Sequence, residues 1–125
     1  MLRAVHHRRG QVAFTSALNR YSWTSYLGHR PTASPSGEYA AAARREDLWG
    51  LPPAWIGVGD LDLLFDDAVT YADRLRKAGV PCELHIEPGM YHGADAELAA
   101  SVPSMRHFRE LLMAAISARL TPTPP

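Results

Sequence analysis

The stretch Ala54-Trp55-Ile56-Gly57-Val58-Gly59-Asp60-Leu61-Asp62 decides the fold. Its first six residues form an apolar run without polar alternation, the pattern of a strand covered on both faces, and Leu51-Pro52-Pro53 sets it off from what precedes. Downstream, Val69, Ala72 and Leu75 share one face of a helix that Asp66 or Asp67 can cap, with Lys77 in the last turn and Gly79 as its stop. Val80 to Glu87 reads as a second strand, with Pro81 tolerable only near its start. Strand, helix and strand in so short a span make a βαβ unit, whose two strands run parallel through a right-handed crossover. The spacing therefore predicts adjacent parallel strands over 54–59 and 82–87 and a helix over about 66–78. A last helix over about 103–120 carries Met105, Phe108, Leu111, Leu112, Ala115 and Ile116 at helical spacing and packs on the sheet.

Toward the N-terminus the signals weaken. Val12, Phe14, Ala17, Leu18, Tyr21, Trp23 and Tyr26 form a loose helical stripe that Gly28 closes, one or two short helices in all. Pro31 to Gly37 is turn chemistry, and Glu38 to Arg45 suits a short Ala-rich helix or a loop. The Thr121-Pro122-Thr123-Pro124-Pro125 tail cannot continue a helix.

Composition excludes several classes. The chain has 125 residues, 46% of them hydrophobic, with 13 Lys+Arg against 13 Asp+Glu, so a single folded domain is expected and a disordered or fibrous chain is not. Balanced charge removes the electrostatic footprint of a nucleic-acid binder, because Arg8-Arg9 and Arg44-Arg45 are only doublets. One cysteine, Cys82, cannot form an internal disulfide, and no stretch approaches the length of a signal peptide core or membrane span. The expectation is an intracellular, cytoplasmic protein with no membrane span.

Parallel strands all end on one rim, and ligands bind in the crevice outside those carboxyl ends. Gly59-Asp60-Leu61-Asp62 follows the first strand, and Pro88-Gly89-Met90-Tyr91-His92-Gly93 follows the second. Neighbouring strands lie about 4.8 Å apart, so a carboxylate past one and a histidine past the other come within reach of a hydrogen bond. Such a pair is the orienting half of a nucleophile, histidine, acid triad, in which the carboxylate holds the imidazole in one tautomer. The spacing leaves Asp60 and Asp62 both open as that carboxylate. The plainer readings are a solvated acidic loop that caps the next helix and a structural loop histidine. The pairing at two adjacent strand ends, with Gly89 and Gly93 letting the backbone turn sharply beside His92, brings the chemical reading level with these, and Asp66 and Asp67 are expected to be caps. His6-His7, His85 and His107 lack the spacing of a metal site, so no metal and no cofactor is expected. Cys82 reads as a small apolar filler in the core of the second strand, and Trp23, Trp49 and Trp55 as packing residues.

Leu51-Pro52-Pro53 through Asp62, then Asp66-Asp67, Tyr71-Ala72 and Leu75, then Ala78-Gly79-Val80-Pro81-Cys82-Glu83-Leu84-His85 and Pro88-Gly89-Met90-Tyr91-His92-Gly93 resemble the C-terminal region of the α/β-hydrolase fold. Within that fold they are most similar to the hormone-sensitive-lipase-like esterases, over about residues 45–120. Asn19 to Gly28 is similar to the segment of such esterases between nucleophile and acid. The resemblance implies Asp62 as the triad acid and His92 as the base, in the order nucleophile, acid, histidine. Asp67 stands where Glu is common, and Ala94 where an aromatic is common, which bears on the acyl-pocket wall and not on the triad.

The nucleophile's setting is absent from the 125 residues. No Gly-x-Ser-x-Gly occurs, no His-Gly-Gly-Gly run supplies oxyanion amides, and Ser16, Ser22, Ser25, Ser34 and Ser36 all lack the glycines that expose a nucleophile. The expectation is a partial α/β-hydrolase domain: 1–50 a helical and loop segment between nucleophile and acid, 51–120 a βαβα unit carrying acid and histidine, and 121–125 a tail. Its expected function is that of a C-terminal fragment of a serine carboxylesterase or lipase acting on small-molecule acyl esters, inactive alone. The rival reading is a non-catalytic binding or assembly remnant of the same fold, and a zinc hydrolase stands a distant third.

Overall fold

The computed structural model describes residues 8–31 and 40–120. Its elements in chain order are α1 (Ser16–Leu27), a 3-10 turn (Ala42–Arg44), β1 (Ala54–Gly59), α2 (Phe65–Lys77), β2 (Cys82–Glu87), α3 (Ala94–Leu98) and α4 (Pro103–Leu120). Strands β1 and β2 pair in parallel, Ala54 opposite Cys82 through Gly59 opposite Glu87, as the unalternating apolar run predicts. This is an α/β arrangement, a small parallel sheet between helices.

The two faces of β1 feed two clusters. Ala54 and Ile56 lean with Tyr71, Ala78 and Cys82 on a cluster of Leu48, Leu75 and Val80, which seats α2. Trp55 on the opposite face packs against Met90, Ala94, Met105 and Phe108, which seats α3 and α4. A Cβ on Gly59 would lie 1.9 Å from the Met90 carbonyl oxygen. Only a residue without a side chain lets the segment after β2 close on the end of β1.

Three expectations need correction. Helix α2 starts at Phe65, Leu64 precedes it without a side-chain cap, and Asp66 and Asp67 lie in its first turn. They favour the positive end of the helix dipole but lie inside the first turn and so do not cap it, and Asp62 Oδ1 accepts the Leu64 N–H just before the helix, at 2.9 Å. Trp49 is 81% exposed and Leu48 beside it takes the core position, while Asp47 Oδ1 accepts the Trp49 backbone N–H at 2.9 Å. Cys82 is only partly buried, at the margin of the Leu75 cluster, and burial pushes its thiol pKa up against the opposing pull of Arg76 and Arg119. Helix α3 is additional to the predicted elements.

Helix α1 forms as its end signals predict, with Thr15 Oγ1 accepting the Leu18 N–H at 3.3 Å and Gly28 closing it at φ 74°. The helix begins after Val12 and Phe14, and none of its residues is buried. Between Pro31 and β1, Arg74 of α2 donates to the carbonyls of Ala43 and Arg45 and so ties the 3-10 turn to the body. The expectations for His6-His7, for Ser34, Ser36 and the turn before Glu38, and for the 121–125 tail lie outside the described residues. Among the described residues no helix is long and apolar enough to cross a membrane.

Candidate active site

Both strand ends are drawn together by their own backbone. Asp60 N–H donates to the Glu87 carbonyl at 3.1 Å and Leu61 N–H to that of Met90 at 3.1 Å, extending the ladder beyond the strands. Asp60 Oδ1 adds a tie by accepting the Gly89 N–H at 2.7 Å. Asp60 thus bridges the two loops, and its carboxylate is directed to Gly89 and away from the imidazole.

Asp62 is the carboxylate that reaches the histidine. His92 Nδ1–H donates to Asp62 Oδ2 at 2.9 Å, while Asp62 Oδ1 accepts the Leu64 N–H. The Asp62 residue is 7% exposed, so both oxygens are committed in a site that water hardly reaches. A carboxylate anchored at one oxygen by a backbone amide cannot swing, and the other oxygen then fixes the ring it meets. Gly89 and Gly93 flank His92 at φ 73° and 79°. Half of the imidazole remains open, and only Nδ1 is engaged in a hydrogen bond among the described residues.

Two neighbours of this pair escape a reading along the chain. Phe14, placed by its spacing in the helical stripe, lays its ring against His92 with centroids 4.7 Å apart and planes at 30°. Arg9, noticed only as half of a basic doublet, donates Nε–H to the Asp60 carbonyl at 3.0 Å. Both lie more than forty positions from their partners in sequence, where no local periodicity signals contact. On the far side, the Tyr91 hydroxyl donates to Glu97 of α3 at 2.8 Å, and this bond holds the phenol pKa up.

The remaining candidates stay apart from the pair. His85 Nε2 meets Glu87 Oε2 at 3.0 Å and its ring stacks on Trp55, within the α4 face of the sheet. His107 faces Glu110 on the exposed side of α4 at 3.7 Å. Among the described residues no three His, Cys, Asp or Glu side chains gather as metal ligands. Ser16 and Ser22 line a broad cavity of about 1310 Å³ between α1, the 40–44 segment and α2, a cavity whose wall includes Phe14, Trp23, Ile56 and Tyr71 but not His92. Asp62 and His92 can thus orient an imidazole for proton transfer, and a group to deprotonate must come to its open side.

Comparison with known proteins agrees with this architecture. A family model described as alpha/beta hydrolase fold matches residues 3–96. Carboxylesterase NlhH of Mycobacterium tuberculosis is 55% identical over 47 residues, 38% of this chain and 15% of that protein. Esterase LipW from Mycobacterium marinum superposes with a TM-score of 0.75 at 32% identity, covering 94% of this chain and 36% of that one. A hormone-sensitive lipase from a metagenome library superposes at 0.71 with 26% identity, covering 93% of this chain and 38% of the other. The chain therefore spans less than half the length of each of these relatives.

Proposed function

The chain belongs to the alpha/beta hydrolase fold family, its relatives include hormone-sensitive-lipase-like esterases, and on that premise we propose that it carries the acid and base of a serine carboxylesterase or lipase acting on small acyl esters. The observation that carries this reading is the 2.9 Å contact between His92 Nδ1 and Asp62 Oδ2 at the ends of two adjacent parallel strands. Asp62 holds the imidazole in the tautomer with its proton on Nδ1, so that Nε2 is the base. Nε2 takes the proton of a serine hydroxyl as its oxygen attacks the ester carbonyl. The resulting imidazolium, stabilised by Asp62, returns that proton to the departing alcohol. Water then repeats the sequence on the acyl-serine, releasing the acid.

The serine and the oxyanion donors are residues outside these 125, since neither Gly-x-Ser-x-Gly nor His-Gly-Gly-Gly occurs among them. The chain is thus the acid-and-histidine portion of a longer catalytic unit. We place it in the cytoplasm, where a lone thiol such as Cys82 stays reduced.

The test joins the chain to an upstream segment carrying both glycine-rich motifs. Ester hydrolysis and labelling by a fluorophosphonate are expected of the joined protein, with His92→Ala lowering turnover by roughly 10⁴-fold or more. The 125-residue chain alone is expected to show neither a burst nor labelling. Serine-dependent turnover by the chain alone would overturn the reading and move the nucleophile to Ser16, Ser22, Ser25, Ser34 or Ser36.

A further inference from the structure

Residues 8–14 run as a strap across the loop that bears Asp62. Arg9 donates Nε–H to the Asp60 carbonyl at 3.0 Å and Nη1–H to Asp66 Oδ1 at 2.9 Å, and its guanidinium carbon lies 3.9 Å from the centroid of the Phe65 ring. The Gly10 N–H donates to the Leu61 carbonyl at 3.2 Å. These partners bracket Asp62 in the chain, residues 60 and 61 before it and 65 and 66 after it. Farther along, Ala13 takes φ 58°, and the Phe14 N–H donates to the Val12 carbonyl at 2.7 Å, a tight turn from which the Phe14 ring meets His92.

Magnitudes decide which of the Arg9 contacts matters. The Asp66 side chain is 67% exposed, and an ion pair open to water on one side contributes little. The Arg9 side chain itself is only 7% exposed. Its charge-assisted bond to a backbone carbonyl and its stacking on Phe65 are therefore made out of water, where both are stronger. A planar guanidinium engaged along its edge and its face can sit in one orientation only, and it fixes the backbone that receives it.

We propose that Arg9 is the positioning residue of the candidate triad: by gripping the Asp60 carbonyl and the Phe65 ring it holds the 60–66 loop so that Asp62 Oδ2 faces His92. The catalytic meaning of this role rests on the reading of Asp62 and His92 as acid and base, but its test does not need activity. Amide hydrogen exchange is measured by NMR on the 125-residue chain and on Arg9→Ala and Arg9→Lys. In Arg9→Ala the amides of Leu61, Asp62 and Leu64 are expected to exchange about tenfold faster or more, while those of Ala72 and Leu75 in the buried face of α2 change little. The downfield Nδ1 proton of His92, held by Asp62, broadens in the same variant. Arg9→Lys is expected to recover little of the protection, because the ammonium keeps only the weak pair with Asp66 and has neither fork for the Asp60 carbonyl nor flat face for the Phe65 ring. Equal loss of protection in the loop and in α2 would make Arg9 a contributor to global stability only, and an unchanged loop would make it an ornament, and either result overturns the proposal. If Arg9→Ala cannot be recovered folded, Arg9→Lys against the parent chain carries the same comparison. Failure of the esterase reading would appear instead as missing His92-dependent hydrolysis in the joined protein, with the exchange pattern untouched.

Discussion

Helices α1 and α2 differ by one residue in length, yet α2 buries Ala72 and Leu75 while α1 buries nothing. Local signals would have ranked them the other way. Helix α1 has a threonine cap at one end and a left-handed glycine at the other, whereas α2 starts at Leu64 with no side-chain cap. What separates them is the arrangement of apolar positions around the axis. In α2, Ala68, Ala72 and Leu75 stand on one stripe with Asp67, Asp73, Arg74 and Lys77 elsewhere. In α1 the positions four and seven after Leu18 are Ser22 and Ser25, so its apolar stripe is broken, and Tyr21 and Tyr26 remain 71% and 66% exposed. Caps start and stop a helix, but a continuous apolar face against a sheet is what holds one in place.

Breaking the better-packed region should have the larger consequences. Gly59→Val is expected to prevent folding outright, since even the first added carbon would sit 1.9 Å from the Met90 carbonyl oxygen. Circular dichroism of the purified variant checks this, and a native-like spectrum would mean that β1 and the post-β2 segment need not close together. Next, Leu75→Ala should cost roughly 2–5 kcal/mol in a urea titration, as for a fully buried leucine, against about 0.5 kcal/mol or less for Leu18→Ala. Similar values at the two positions would erase the contrast between the helices.

Smaller effects sharpen the contrast. Thr15→Ala removes the side-chain cap of α1 and should cost about 1 kcal/mol of helix stability, visible as faster amide exchange within Ser16–Leu27 and not in α2. Cys82 should be alkylated more slowly than a free cysteine at neutral pH. Burial raises its pKa, so less thiolate is present at a given pH, and the lag should vanish once urea unfolds the chain. Alkylation of the native chain at the free-thiol rate would show that the β2 margin of the Leu75 cluster is open.

Much of the candidate site's geometry was legible because its parts sit at strand ends that apolar runs mark. The run from Ala54 to Gly59 and the stretch from Val80 to Glu87 announce two parallel strands, and a rim of parallel strands puts their following loops side by side. Choosing between Asp60 and Asp62 was beyond such counting. Both follow β1 closely, and only a resemblance to a family favoured Asp62. In the structure the choice falls out of hydrogen bonding, because Asp60 Oδ1 is taken by the Gly89 amide while Asp62 Oδ2 is left for the imidazole. The cap expected of Asp66 and Asp67 depends on where the helix begins: α2 starts at Phe65, so both fall inside its first turn and neither precedes it.

By itself the sequence determined the βαβ frame, the helix over Pro103–Leu120 and the pair of loops that carry Asp62 and His92, since each rests on a period or punctuation readable within one element. Tertiary structure alone decided that Arg9 seats against the Asp60 carbonyl, that Phe14 leans on His92 and that Trp49 turns outward while Leu48 goes in. The physical reason is reach. Periodicity encodes which face of an element is apolar, a property of neighbours three or four positions apart. A contact between residues fifty or more positions apart, such as that of Arg9 with Asp60, depends on how whole elements pack, and nothing in either residue's surroundings along the chain records it.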